Sequence, residues 1–320
     1  MIEQDVEITE EPTDENIPTN KHIRQIAWMV IALVVTFFLG FGGGYLIWGQ
    51  DETAEAKQQK ELTELHEQVN PKDGYTLPVS YGKLGPQLIE AGAIDYDAFM
   101  SVMTASGDAI SNRQMDILKR GSDDQIVITA ENAHFLLNFF WAVGLANKNS
   151  ILTEGPMVKY SDGQIDRFAS TGGWTLATKP VTDIYASMDL IPLTPEQQAH
   201  VEEVAAAVYR PCCNNHTLFP DCNHGMAMLG LLELLASQNA SVDEMFNAAK
   251  YVNAYWFPQQ TLETALFLKT NQEIDFSEAD SRLVVSDKFS SASGASMVHQ
   301  SLQSRGLLKQ TPSQGGSCAN

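Results

Sequence analysis

The sequence predicts a mainly α-helical protein, with a single N-terminal transmembrane helix followed by an all-α, or α-rich with a few short strands, globular extracytoplasmic domain. Three observations carry that expectation. An uncharged run covers residues 26–48, several later runs place apolar residues at helical spacing behind clear capping signals, and 44% hydrophobic residues in a chain of 320 suffice for a substantial core.

Residues 1–25 read as an acidic, disordered cytoplasmic tail, with Glu3, Asp5, Glu7, Glu10, Glu11, Asp14 and Glu15 and no basic residue before Lys21. The run 26–48 is 23 residues long, which at a rise of about 1.5 Å per residue spans a hydrocarbon layer of about 30 Å. Trp28 and Trp48 suit its two interfaces. Lys21 and Arg24 precede the run while Asp51, Glu52 and Glu55 follow it, so the positive-inside rule predicts a single-pass cell-membrane protein with a cytoplasmic N-terminus. The main domain is then extracytoplasmic.

Residues 49–73 read as a helical stalk, with Leu62, Leu65 and Val69 at helical spacing, and the turn Pro71-Lys72-Asp73-Gly74 opens a globular domain over 74–290. Short helices are expected at 86–91, 96–104 and 112–120. Residues 131–147 predict a buried helix capped by Thr129, in which His134 and Asn138 hydrogen-bond within the core. Short strands are expected near 157–160, and Ser170-Thr171-Gly172-Gly173-Trp174 reads as a tight turn beside a core tryptophan.

Thr194-Pro195-Glu196-Gln197 carries a capping box with proline at the first helical position, followed by Val201, Val204, Ala205 and Val208 at helical spacing. After a loop, 225–237 is almost wholly apolar, Glu233 being its one charge, and predicts a helix buried on all sides. Ser241-Val242-Asp243-Glu244 is a second capping box, and Pro258 breaks the helix that it starts. Residues 291–320 are rich in Ser, Gly and Gln and read as a flexible tail ending near Cys318.

The loop 211–228 between two predicted helices concentrates the chemistry. Cys212, Cys213, Cys222 and His224 lie within thirteen residues. Thiolate and imidazole together suit zinc, and thiolate with nearby thioether leans toward copper(I), so the expected cofactor is a copper or zinc ion. An antiparallel helix pair brings Cys212 and Cys213 at one helix end toward Cys222 and His224 at the start of the next. Asp221 or Asn223 is expected to cap that start, where free amides lower the pKa of Cys222.

The loop fits a thiophilic metal-binding protein best. The same cysteines also suit a thiol-disulfide or disulfide-stabilised protein without metal, and an anchored scaffold or sensor domain is a further reading. Forty acidic against twenty basic residues, a formal charge of −20, argue against a nucleic-acid partner. No haem-attachment, Cys-x-x-Cys, His-Glu-x-x-His or Gly-x-Ser-x-Gly motif occurs, which removes several familiar enzyme classes.

Overall fold

The computed structural model describes residues 25, 28–37, 56–57, 59–108 and 110–308. The chain divides into two compact units, Met1–Glu61 and Leu62–Asn320.

In the first unit, residues 28–37 are helical and exposed, and Thr36 Oγ1 donates back to the Ala32 carbonyl at 2.6 Å. Among the described residues no helix is long and apolar enough to cross a membrane. Residues 26–27 and 38–48 of the predicted span lie outside the described residues, as do 1–24 of the acidic tail and the start of the stalk.

The second unit is mainly helical. Two antiparallel strands, β1 (Tyr75–Gly82) and β2 (Ser122–Ile128), pair with Tyr75 opposite Ile128 and Gly82 opposite Ser122. Leu77, Val79 and Tyr81 alternate inward along β1, and Ile126 and Ile128 along β2. Between the strands run α1 (Leu84–Glu90), α2 (Tyr96–Ala105) and α3 (Asn112–Arg120). Asp95 and Ser111 cap α2 and α3 by accepting backbone N–H bonds.

At the centre, α4 (Ala133–Ala146) packs against α6 (Asn223–Ser237), both apolar on nearly every face. Their backbones cross closely at Gly144 and Gly230. A Cβ on Gly144 would stand 2.1 Å from the Met226 carbonyl oxygen, and one on Gly230 would stand 2.5 Å from that of Phe140. Only glycine permits this approach.

Around that pair lie α5 (Pro195–Ala207) and α7 (Val242–Trp256), with capping boxes at Thr194 and Ser241 as the sequence predicts, and α8 (Pro258–Gln272) packs on α7. A second apolar cluster joins α7 and α8 to α9 (Ala292–Ser304), through Ala254, Ala265, Leu268, Phe276, Val298 and Leu302.

The structure departs from expectation at several elements, among them the tight turn expected at 170–174, where Ala169–Gly172 is a turn of helix. The stretch 291–320 is not wholly flexible: α9 starts on Ser291, whose hydroxyl accepts from Gly294 N, and buries Val298 and Leu302. Residues 309–320, including Cys318, lie outside the described residues. Leu65 and Val69 belong to the same apolar cluster, so helical residues 62–69 of the predicted stalk are part of the globular unit. Residues 157–160 lie within a helix, Pro156–Ser161, which proline starts at its first turn. Thr129 does not cap α4, because Asn132 is the capping residue and its Oδ1 instead accepts from Thr129 N at 2.8 Å.

Of the two polar residues on α4, Asn138 lies in the core as expected, whereas His134 sits at its edge, more than a third exposed, and pairs through Nδ1 with the similarly exposed Asp108 carboxylate. The Asn138 amide donates to the His134 carbonyl at 3.1 Å. Trp174 is buried, donates its indole N–H to the Ala93 carbonyl at 2.9 Å and meets Trp141 edge-on.

Candidate metal centre

The cysteine loop begins where α5 ends. Val208 turns to extended backbone, and the chain doubles back along the helix end: Thr217 N donates to the Val208 carbonyl at 2.9 Å and Leu218 N to that of Ala205 at 3.1 Å. Tyr209 and His216 form an antiparallel bridge between the two sides.

Arg210 is the hub of the loop, although it is only 1% exposed. Its Nε donates to Cys222 Sγ at 3.0 Å and its Nη1 to the Asn215 carbonyl at 2.9 Å. Nη2 reaches the Phe219 carbonyl at 3.0 Å and Asp221 Oδ1 at 2.7 Å. The second oxygen of Asp221 accepts from Asn215 Nδ2 at 2.8 Å. The planar guanidinium thus ties both sides of the loop through a fixed set of donors, which a lysine cannot reproduce.

Gly225 makes room for it. A Cβ there would lie 2.5 Å from the guanidinium carbon, so the first turn of α6 must be bare where Arg210 passes.

Cys222, rather than Asp221 or Asn223, caps α6, and its sulfur accepts from Gly225 N at 3.4 Å. Cys212 Sγ lies 3.6 Å from Cys222 Sγ. Cys213 Sγ completes the group, the three sulfurs lying within 4.8 Å of one another. All three cysteines are half-buried and none is in a disulfide. The start of α9 braces the loop from outside, with Ala292 N donating to the Cys213 carbonyl at 2.9 Å and Ser293 N to Asn214 Oδ1 at 2.9 Å.

Cys222 is the sulfur best placed to carry a thiolate, because the Arg210 guanidinium donates to it directly. Its pKa is held well below the usual thiol value by hydrogen bonds from Cys212 and Cys213, which with Arg210 outweigh burial. Cys212 is correspondingly pushed up by its bonds to Cys213 and Cys222 and by burial. Arg210 stays charged, because the neighbouring thiols and Asp221 overcome a burial that would otherwise lower its pKa.

His224 does not join the sulfurs. Its ring lies 4.5 Å from that of Phe257 and meets Trp256 edge-on, while Nδ1 stands 2.8 Å from Asn223 Oδ1. Burial lowers its pKa to about 4. Of the predicted residues, the structure therefore gathers Cys212, Cys213 and Cys222 and leaves His224 in an aromatic pocket. His216 packs edge-on against Tyr209, with Nδ1 buried and unpartnered.

The three thiols suit a thiophilic metal, since soft donors converge with an Arg210 N–H bond to one sulfur of the kind that orients ligands in metal sites. No protein family, curated protein or solved structure matches this chain. What fold and site define together is an α-rich domain with a three-cysteine cluster compatible with metal binding.

Glu233, the lone acid of α6, is fully buried and neither oxygen has a hydrogen-bond partner. Burial raises its pKa from 4.5 to about 8, opposed by the nearby side chains of Asn147 and Asn149. The folded state therefore keeps a proton that the unfolded chain releases. Its stabilising contribution is full below pH 4.5 and is lost as pH rises through about 8. Urea midpoints for wild type and Glu233→Gln between pH 5 and 9 should show the wild type losing more stability across that interval, on the order of a few kcal/mol. Parallel pH profiles would refute the assignment.

Proposed function

We propose that this is a membrane-anchored extracytoplasmic protein that binds a thiophilic metal ion, copper or zinc, through Cys212, Cys213 and Cys222. The observation that carries the reading is the convergence of three unbridged thiols within 4.8 Å of one another, on a loop fastened by a buried arginine. A loop serving only to connect two helices has no need of a buried guanidinium bonded to a sulfur.

Metal analysis of the full-length chain, purified in detergent without chelator, is expected to give close to one copper or zinc per chain. The 3.6 Å contact between Cys212 and Cys222 also favours a thiol-disulfide reading. Metal-free protein with those two sulfurs bonded, unable to take up either metal after reduction, would select that reading instead.

The membrane partner and the location rest on the uncharged run 26–48 with Lys21 and Arg24 before it. A protease added outside spheroplasts should remove the globular unit and leave the acidic tail protected. Protection of the globular unit would place it on the other side. The net charge of −20 supports a binding role without nucleic acid.

A further inference from the structure

We infer that the ion is copper(I), held by the three cysteine sulfurs and by no nitrogen or oxygen ligand. The inference rests on the metal-binding reading above and names which of its two metals the site takes. It follows from the donors that surround the cluster.

Among the described residues, no histidine, aspartate or glutamate ligand atom joins the three sulfurs within their 4.8 Å reach. Asp221, the nearest acid in sequence, has one oxygen on Arg210 and the other on Asn215. His224 is turned into the aromatic pocket with Nδ1 facing Asn223. Met226 and Met228 are spent in the interior, 0% and 1% exposed. The described shell is sulfur-only and three-membered.

Those terms separate the two metals. Structural zinc sites almost always take four protein ligands, and open zinc sites commonly include imidazole or carboxylate among three. Thiolate softness favours copper(I), a closed-shell monovalent ion that three sulfurs satisfy. Arg210 fits the same picture, since its Nε–H on Cys222 offsets one unit of the negative charge that three thiolates bring. The half-exposure of all three cysteines leaves a route for the ion to enter and leave.

The test uses the full-length protein in detergent, reduced and kept anaerobic, offered either the copper(I)–bicinchoninate complex or zinc sulfate. Expected is one copper withdrawn from bicinchoninate per chain, with an X-ray absorption spectrum showing three sulfur neighbours and no nitrogen. Zinc should be surrendered to 4-(2-pyridylazo)resorcinol. Cys213→Ser should weaken copper retention by about tenfold or more, whereas His224→Phe, which keeps an aromatic ring in the pocket, should leave the copper spectrum unchanged. A nitrogen neighbour in wild-type copper protein, or zinc held by four ligands against the resorcinol, would overturn the inference while leaving metal binding standing. If neither metal binds the reduced chain, the metal-binding reading fails with it.

Discussion

Cys222→Ser should leave the fold standing and lower metal affinity by on the order of a hundredfold or more. Cys222 caps α6 by accepting from Gly225 N, and serine is among the preferred residues at that position, so the helix start survives the exchange. The sulfur is also the one best placed to carry a thiolate, supported by Arg210, Cys212 and Cys213. A hydroxyl binds soft metals poorly, and changing groups that merely orient ligands already costs about 10- to 100-fold. Circular dichroism and thermal melts of wild type and variant should overlay in the apo state while metal content falls. A variant that keeps its metal would remove Cys222 from the shell.

Arg210→Ala should produce the largest loss of stability, about 3–5 kcal/mol, because it strips partners from several buried groups at once. The carbonyls of Asn215 and Phe219, the Asp221 carboxylate and the Cys222 sulfur all lose their donor. Asp221 suffers most, since burial already pushes its pKa up and Arg210 is the charge that holds it down. Arg210→Lys should recover little, as a single ammonium cannot span the same acceptors. Denaturant unfolding of the apo proteins measures both, and a loss below about 1 kcal/mol for Arg210→Ala would show that the loop is held by other contacts.

The helices around the centre were legible because their signals are local. Thr194 and Ser241 announce their own capping boxes, and the apolar runs of α4 and α6 leave no polar face to expose. β1 was hidden by Pro78, which weakens a strand pattern although Leu77, Val79 and Tyr81 alternate inward. The helix α9 was masked by its serines and glycine, yet Val298 and Leu302, four apart, supply its buried stripe.

In the candidate site, the cysteines were legible and their scaffold was not. His224 stands two positions after Cys222, and residues two apart on a helix do not face one another, so sequence proximity misled. Arg210 reads in sequence as a charge at the end of a helix. Its burial depends on the loop folding back, so that Asn215, Phe219 and Asp221 meet one guanidinium, and on Gly225 leaving the space. The one local hint was that glycine, placed in the first turn of an otherwise apolar helix.

Differential alkylation tests the cysteine cluster most directly. Full-length protein as isolated is treated with iodoacetamide before and after metal removal by a chelator, and the peptide carrying Cys212, Cys213 and Cys222 is read by mass spectrometry. The account predicts that all three thiols are protected while metal is bound and become alkylated together once it is removed. Equal alkylation with and without metal, or a Cys212–Cys222 disulfide in the protein as isolated, would contradict it.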